Sequence, residues 1–335
     1  MSGRGEMIGF AILGCGRIGR MHARNIRAHA RAELVTCYDV MSEAAEATAR
    51  ELGVTAAQSV AAALSDPRVQ AVLIATSTDT HVELLTQTVK AGKPVLCEKP
   101  IDLDMARVDA CWREIGDLDP LVMIGFNRRF DPSFRALRER VQSGEIGALE
   151  QVVITSRDPA PPPAGYVEHS GGLFRDMTIH DLDMARYLVG EIVEVQAMGT
   201  NLVDPAIGAL GDIDSAMLLL RAASGALVHI NNSRRCAYGY DQRIEAFGAR
   251  GMLQAQNRHP TTVEFWGEGR THARDPVLDF FITRYRDAYM AEVDHFVDCV
   301  ESGEKPLAGF AEGREALRLA DAALNSLATG KAVKP

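Results

Sequence analysis

The chain has 335 residues, of which 47% are hydrophobic and 24% charged; this composition is ordinary for a globular protein, and the length suits two domains. The net charge of −9 comes without any dense run of lysine and arginine, so neither nucleic acid nor an anionic membrane is expected as a partner. No stretch approaches the roughly 18–20 apolar residues of a membrane span, and the first residues do not form a signal peptide pattern. The cytoplasm is the expected compartment.

The cysteines give no sign of a disulfide framework. No two of them form a Cys-x-x-Cys pair, and most lie in apolar runs. Buried reduced thiols are therefore favoured over disulfides or metal ligands at all six positions, which are Cys15, Cys37, Cys97, Cys111, Cys236 and Cys299.

Residues 1–127 alternate short apolar runs with amphipathic segments. Near-continuous apolar strands indicate a sheet covered on both faces, which predicts a doubly wound parallel α/β sheet of the Rossmann type. Ser42 is the expected N-cap of the second helix, and Gly53 is its expected end. The predicted strands are 8–13, 33–39, 71–76, 94–97 and 121–126, and the predicted helices are 17–30, 42–52, 80–91 and 104–115.

Residues 128–335 have a different pattern of apolar and polar residues and form the predicted second domain, which is α+β. Their strands alternate apolar and polar residues, which predicts a large open, mostly antiparallel sheet with one face packed and one face free. Such a free face favours a homo-oligomer, either a dimer or a tetramer. The predicted strands are 149–157, 192–200, 213–221, 225–235, 241–248, 251–256 and 261–266, and the predicted helices are 132–143, 178–189, 284–301 and 310–329.

A glycine-rich motif follows the first strand and opens the first helix. The sequence Gly14-Cys15-Gly16-Arg17-Ile18-Gly19 has the GxGxxG pattern in the context that dinucleotide binding requires. Gly14 would permit the tight turn, Gly16 the approach of a pyrophosphate, and Gly19 the packing of helix against sheet. The alternative is a glycine-rich turn without a ligand.

Asp39 lies 20 residues after Gly19, at the end of the second predicted strand. That spacing suits a carboxylate that accepts hydrogen bonds from ribose hydroxyls, and the same charge would repel a 2′-phosphate. Because Val40 and Met41 follow and no arginine does, NAD is favoured over NADP. The alternative is a solvated acid at a strand end.

With Cys97-Glu98-Lys99-Pro100, the sequence resembles the glucose–fructose oxidoreductase/inositol dehydrogenase (Gfo/Idh/MocA) family. The resemblance covers essentially the whole chain, and its second half is similar to the inositol dehydrogenase branch. The further segments that carry it are ATSTDTH at 75–81, GFNRRFDP at 125–132, SRDP at 156–159 and GGLFRDMTIHD at 171–181.

The resemblance implies a catalytic group of Lys99, Asp176 and His180. Removing a hydride from an alcohol also requires a base, and an imidazole has its intrinsic pKa near working pH. Lys99 would place positive charge near the developing alkoxide, and Asp176 would orient His180 or bind a neighbouring hydroxyl. Each residue also has a purely structural interpretation. Lys99 could be a surface lysine, Asp176 could cap a helix, and His180 could be hydrogen-bonded to Asp181 or Asp183.

Two further sets of binding residues are expected. The cofactor set comprises Gly14, Gly16, Arg17, Ile18, Gly19, Asp39, Thr76, Ser77, Thr78, His81, Glu98 and Lys99. The substrate set comprises Lys99, Asn127, Arg157, Asp158, Asp176, His180 and Tyr238, because a polyol needs several paired hydrogen-bonding groups. Arg157 and Asp158 could instead pair with each other, and Tyr238 could reach a neighbouring subunit or cover the sheet.

The expected activity is NAD-dependent oxidation of a cyclic polyol to a ketone, with myo-inositol oxidised at its axial hydroxyl. The alternatives are a scyllo-inositol or sugar dehydrogenase, a non-catalytic NAD-binding sensor, and an oxidoreductase that retains its cofactor between two substrates. No metal is expected, since no metal-ligand spacing accompanies His180 and nicotinamide chemistry needs none.

Overall fold

The computed structural model describes residues 7–335. Its first elements alternate strand and helix throughout, as the periodicity predicts. In chain order they are β1 (Ile8–Leu13), α1 (Arg17–Ala28), β2 (Ala32–Tyr38), α2 (Ser42–Leu52), β3 (Thr55–Ala56), α3 (Val60–Ser65), β4 (Ala71–Ile74), α4 (His81–Lys90), β5 (Val95–Glu98), α5 (Met105–Ile115) and β6 (Val122–Gly125).

These strands form one sheet in the order β3-β2-β1-β4-β5-β6, and all neighbours pair in parallel. Every residue of β1, β4 and β6 is buried, because helices cover both faces. The predicted doubly wound sheet is thereby confirmed. The strand order reverses between β1 and β4, and in such sheets ligands bind beyond the carboxyl ends of the strands at this reversal.

One predicted cap is wrong. Ser42 is the first helical residue of α2 rather than its cap, and Met41 precedes the helix without capping it by a side chain. The nearby acid explains the difference, because the backbone N–H of Met41 already donates to Asp39 Oδ1 at 2.8 Å. The predicted end is correct, since Gly53 has φ of +71° in the left-handed region that glycine tolerates.

The remaining elements carry the second sheet and the C-terminal helices. They are α6 (Pro132–Gln142), β7 (Leu149–Arg157), α7 (Ala164–Ser170), α8 (Ile179–Val189), β8 (Ile192–Thr200), α9 (Pro205–Ala209), β9 (Ser215–Ala222), β10 (Leu227–Ser233), β11 (Asp241–Gly248), β12 (Gly251–Ala255), β13 (Glu264–Gly267), β14 (Arg270–Arg274), α10 (Phe281–Arg284), α11 (Arg286–Ser302) and α12 (Phe310–Thr329).

Six of these strands form a sheet in the order β12-β11-β7-β10-β9-β8. Only β7 and β10 pair in parallel; the other neighbours are antiparallel. Burial alternates along β9, β10 and β11, so one face is covered and the other is open, which confirms the predicted open sheet. The strand predicted at 261–266 does not belong to this sheet, since β13 pairs with β14 in a separate hairpin.

The chain divides into two compact units, and the second is not the continuous segment 128–335 that the sequence analysis proposed. The first unit contains the described residues up to Asn127 together with Tyr289–Glu315, and the second contains Arg128–Ala288 and Ala316–Pro335. Packing explains why residues 289–315 join the first unit. The ring of Phe296 lies 5.9 Å from that of Phe10 in β1, and Ile124 of β6 donates its N–H to the carbonyl of Ala308.

Two further sequence expectations can be compared with the described residues. All six cysteines are buried and none is in a disulfide, as predicted. Within residues 7–335, every helix is either too short or too polar to cross a membrane.

Candidate functional site

The glycine loop, residues 14–19, leads from β1 into the first turn of α1 at the point where the strand order reverses. A Cβ atom on Gly14, whose φ is +99°, would lie 2.4 Å from the carbonyl oxygen of Ala75. One on Gly19 would lie 1.9 Å from the carbonyl oxygen of Gly14, so only glycine fits at either position. A Cβ on Gly16 would meet nothing within 4 Å. The open space at Gly16, before the N-terminus of a helix, fits an approaching phosphate group.

Asp39 stands directly beside this loop. Its Oδ2 accepts a 2.7 Å hydrogen bond from the backbone N–H of Cys15, and its Oδ1 accepts from Met41. A carboxylate oxygen has room for a second hydrogen bond, so ribose hydroxyls could still donate to Asp39. Val40 and Met41 beside it are 85% and 63% exposed and carry no charge that would attract a 2′-phosphate. Together with the glycine loop, Asp39 fits NAD.

The segment after β4 is held by a buried histidine. The Nδ1 of His81 lies 2.8 Å from the carbonyl oxygen of Pro100, and its Nε2 lies 3.2 Å from that of Thr76. Burial lowers the pKa of His81, although the two carbonyl groups oppose the shift. Thr76 also contacts the hydroxyl of Thr80 at 2.7 Å. His81 thus ties the loop that contains Ser77 and Thr78 to the segment after β5.

Lys99 immediately follows β5, at the same carboxyl edge of the sheet, and a cis peptide bond joins it to Pro100. Lys99 and Glu98 are both half-buried. The Glu98 carboxylate is engaged by His22, whose Nε2 lies 2.8 Å from Glu98 Oε1. Arg17 is exposed and Ile18 half-buried at the start of α1, whereas Asn127 is 2% exposed at the end of the first unit.

In the second unit, Asp176 lies in a single π-helical turn, Phe174–Thr178, that leads into α8. Such turns are often found at functional sites. No side chain caps this turn or α8, so Asp176 does not act as the helix cap. Its Oδ1 accepts a 2.9 Å hydrogen bond from the Tyr166 hydroxyl, and its Oδ2 accepts one of 2.8 Å from Arg234.

Arg234 links Asp176 to Asp158, to whose Oδ2 it donates at 2.9 Å. We call Tyr166, Asp176, Arg234 and Asp158 the Arg234 network. Burial raises the pKa of Asp158, although the Arg234 guanidinium opposes that shift, and it raises the pKa of Tyr166, beside the Asp176 carboxylate. The pKa of Arg234 is raised by the two carboxylates against the effect of its burial, so the guanidinium stays charged.

Parallel pairing of β7 and β10 brings Asp158 and Arg234 together. Arg157 pairs with Ser233 in the register, so Asp158 and Arg234 are the next residues on the two strands. The N–H of Asp158 accordingly donates to the carbonyl of Ser233 at 2.9 Å. Carboxyl ends of parallel strands meet at one edge of a sheet, and this edge carries the network.

A second set of contacts holds α8 against the covered face of the sheet. Asn232 of β10 accepts from the Thr178 hydroxyl at 2.6 Å and donates to Asp181 Oδ2 at 2.8 Å. Asp181 also pairs with Arg128, and burial raises the pKa of Asp181 against the effect of that guanidinium. Asp183 pairs with Arg129 at 2.7 Å. These contacts hold in place the helix that carries half-buried His180.

Arg157 and Tyr238 do not join this network. Alternation along β7 places Arg157 on the open face and Asp158 at the covered side, so the two do not pair with each other. Arg157 donates to the Tyr238 hydroxyl at 2.9 Å, and Tyr238 donates to Asp241 at 2.6 Å. Burial raises the pKa of Tyr238 to about 12, with Asp241 adding to the effect.

Known protein families match both the N-terminal and the C-terminal part of the chain. Residues 8–126 match the oxidoreductase family with an NAD-binding Rossmann fold, and residues 134–254 match the GFO/IDH/MocA C-terminal domain. The chain belongs to the GFO/IDH/MocA oxidoreductase family. The family resemblance that the sequence motifs indicate is therefore confirmed, and so is the NAD-binding type of the first unit.

Named members of the GFO/IDH/MocA family align along nearly the whole chain. An inositol 2-dehydrogenase of Rhizobium meliloti is 47% identical over 320 residues, which cover 95% of this chain and 96% of the relative. A crystal structure of a myo-inositol dehydrogenase from Corynebacterium glutamicum is 48% identical with a TM-score of 0.95, and 98% of each chain is covered. A scyllo-inositol dehydrogenase from Lactobacillus casei, with NAD(H) and scyllo-inositol bound, is 29% identical with a TM-score of 0.91, covering 98% of this chain and 99% of that one.

Sequence reasoning missed three side chains of this region, namely Tyr166, Arg234 and Asn232. None of them lies in a motif that carries the family resemblance. Their signal is the pairing register of β7 with β10, because Arg234 and Asn232 follow from it once Asp158 and Ser156 are placed. Tyr166 gives no comparable signal, since it lies in the short helix α7 after a proline-rich loop.

Proposed function

We propose that the protein oxidises a secondary alcohol of a cyclic polyol to the ketone with NAD, and that myo-inositol, oxidised at its axial hydroxyl, is the substrate. The observation that carries the proposal is the Arg234 network on the segment that holds His180. Two carboxylates, a guanidinium and a phenol form a fixed hydrogen-bonding surface, which suits a ligand with several hydroxyls. The names of the similar proteins point to inositols as the polyol class.

The proposed roles follow from the chemistry of each side chain. Bound NAD supplies the hydride acceptor. His180 takes the proton from the reacting hydroxyl, and Lys99 stabilises the negative charge that develops on that oxygen. Asp176, held by Tyr166 and Arg234, binds the substrate hydroxyls or orients His180, and Asp158 and Asn127 bind hydroxyls.

The cofactor would be held by the first unit. The backbone of the glycine loop, including Arg17 and Ile18, would face the pyrophosphate, and Asp39 would accept from the ribose hydroxyls. The loop Thr76–Thr78, fixed by His81, and the segment Glu98–Lys99 would border the nicotinamide half.

scyllo-Inositol is the second candidate substrate, because the relative from Lactobacillus casei with scyllo-inositol bound has the same fold along the whole chain. The distinguishing experiment measures kcat/KM from NADH formation with myo-inositol, scyllo-inositol, D-chiro-inositol, D-glucose and L-glucose, each with NAD and with NADP. The highest value with myo-inositol and NAD is expected. A higher kcat/KM with another polyol would show that myo-inositol is not the preferred substrate, while the proposed reaction class would stand. Absence of turnover with all five would favour the NAD-binding sensor.

The open face of the second sheet supports a homo-oligomer. Met198 and Met217 pair across β8 and β9 and are 74% and 57% exposed, while Phe247 and Met252 pair across β11 and β12 and are also exposed. Extended apolar surface of this kind commonly marks a protein interface. We expect Met217→Glu to dissociate a dimer or tetramer in light scattering. A wild-type monomer at micromolar concentration would contradict the proposal.

The cytoplasm remains the proposed compartment. Six buried cysteines without a disulfide fit a reducing environment. Fractionation of cells that express the protein, followed by immunodetection, would test this, and recovery outside the cytoplasmic fraction would contradict it.

A further inference from the structure

Three titratable side chains from distant parts of the sequence meet inside the first unit. His22 lies on α1, Glu98 ends β5, and Glu292 lies on α11. One nitrogen or oxygen atom from each lies within 4.8 Å of the others. His22 is 1% exposed and Glu292 is fully buried, whereas Glu98 is half-buried.

The contacts of this cluster, taken over residues 7–335, give Glu292 no hydrogen bond. The Nε2 of His22 lies 2.8 Å from Glu98 Oε1, and the ring of Tyr289 packs edge-on against His22. Within residues 7–335, no hydrogen-bond donor reaches either carboxylate oxygen of Glu292. An ionised carboxylate in such a place would lose its hydration and gain nothing in return, which makes the neutral acid the stable form.

The other oxygen of Glu98 is also confined. A Cβ atom on Gly125 would lie only 3.0 Å from Glu98 Oε2, so this carboxylate packs closely against β6. Glu98 therefore has restricted positions, and it is the only acceptor in the cluster that is already engaged by a donor. Burial raises the pKa of Glu292 well above its ordinary value, and the charge of Glu98 adds to the effect.

We propose that Glu292 keeps its proton in the folded enzyme, so that the neutral Glu292 and His22 together position Glu98 and the segment that carries Lys99. Glu98 is bonded through the backbone to Lys99, and fixing the first residue restricts the second. The proposal rests on the catalytic role proposed for Lys99. Glu292 is then a positioning residue, and it removes one of two negative charges that would otherwise lie next to the lysine-bearing segment.

A divalent metal ion is the competing occupant of this cluster. The 2.8 Å contact between His22 and Glu98 is a hydrogen-bond distance. Two ligands of one ion, each bound at about 2.0–2.2 Å, would lie roughly 3 Å or more apart. The contact therefore favours a hydrogen bond from the imidazole N–H of His22 to Glu98 over two ligands of one ion.

The direct test is infrared spectroscopy of the apoprotein in deuterated buffer at pH 8. The wild type should show the C=O stretch of a protonated carboxylic acid, and Glu292→Gln should lack that band. Glu46→Gln, an exposed acid in the same unit, is the matched control and should keep the band. A wild type without the band, or a band that persists in Glu292→Gln, would overturn the proposal whether or not the enzyme oxidises inositol.

Kinetics test the positioning role. Glutamine is neutral and keeps the shape and the polar head of the protonated acid, whereas methionine has a similar volume and no polar head. We expect Glu292→Gln to retain most of kcat, and Glu292→Met to lose about 10- to 100-fold in kcat with little change in the KM for the polyol. Equal losses in both variants would show that Glu292 acts as an anion, and a stoichiometric metal that is present in the wild type and absent from Glu292→Gln would show that it is a ligand. Either result would overturn the proposal. If Glu292→Met does not fold, the proposal is tested by the infrared band and by the kcat of Glu292→Gln.

Discussion

The glycine loop and the Arg234 network perform comparable tasks in different ways. The loop is formed by six consecutive residues, and two of its glycines, Gly14 and Gly19, have backbone atoms too close to admit a side chain. The network joins Asp158 to Arg234, 76 positions apart, through the pairing of two parallel strands. A local motif can be recognised from residue type and spacing, whereas a network made by strand register becomes visible only when the register is known.

The largest effect is expected for Lys99→Ala, which should lower the rate of the chemical step without weakening NAD binding. Lys99→Ala removes the positive charge that would stabilise the developing alkoxide, so kcat should fall by about 10³-fold or more. Binding of NAD, measured by calorimetry, should change little, because the glycine loop and Asp39 are untouched. Near-normal turnover in this variant would remove Lys99 from the mechanism.

The Arg234 network should respond to loss of its cation mainly through stability. Arg234→Ala leaves Asp158 and Asp176 without the guanidinium between them, which should cost about 3–5 kcal/mol of unfolding free energy. Urea denaturation measures this loss. Arg235→Ala, an exposed neighbour, is the control and should change stability by less than about 0.5 kcal/mol. Equal effects of the two substitutions would refute a structural role for the network.

Two glycines of the loop should behave differently. In Gly19→Ala the added carbon would collide with the backbone of Gly14, so the apoprotein should lose about 3 kcal/mol or more. Gly16→Ala meets no protein atom and should change stability by only a few tenths of a kcal/mol, but it should weaken NAD binding by about 10-fold or more. Unaltered NAD affinity in Gly16→Ala would contradict the proposed position of the phosphate.

Asp214 supports the strand edge next to Arg234, whose N–H donates to the Asp214 carbonyl. Its buried carboxylate accepts backbone hydrogen bonds from Leu202, Val203 and Asp204. Burial acts to raise the pKa of Asp214, but these hydrogen bonds outweigh it and the pKa is lowered. Asp214→Asn should therefore cost about 2–3 kcal/mol at pH 7.

The pH dependence of that loss has a definite sign. A carboxylate with a lowered pKa stabilises the folded state fully above the pKa of the unfolded chain, and the stabilisation is lost as the pH falls through the folded pKa. The difference between wild type and Asp214→Asn should shrink below the ordinary aspartate value of 3.8. Exposed Asp279→Asn is the control, and a difference for Asp214→Asn that stays constant down to pH 3 would contradict the account.

The smallest expected effect concerns cofactor choice. Asp39→Ser keeps a side-chain oxygen near Cys15 and removes the charge that repels a 2′-phosphate. The ratio of kcat/KM for NAD over NADP should narrow by about 10-fold, equivalent to about 1.4 kcal/mol. Thermal unfolding should be compared in parallel, and an unchanged ratio in a folded variant would refute the role of Asp39.

Much of the fold could be predicted from sequence, since apolar strands covered on both faces and alternating strands have distinct patterns. The separate β13–β14 hairpin and the return of residues 289–315 to the first unit could not, because both depend on contacts between distant segments. Motif positions such as Gly14, Asp39 and Asp176 were identified as candidates, whereas Arg234 required the register. Arg157 shows the converse, because its residue type suggested a polyol site, whereas strand alternation places it on the open face, where it donates to the Tyr238 hydroxyl.

The central claim is that hydride passes from the alcohol carbon of myo-inositol to NAD. The most direct measurement uses myo-inositol that carries deuterium at carbon 2 and locates the label by mass spectrometry after turnover. The account predicts one deuterium in each NADH formed and none at that carbon of the ketone. NADH without deuterium would contradict the claim, since the oxidised carbon would then lie elsewhere on the ring or the hydrogen would leave by another route.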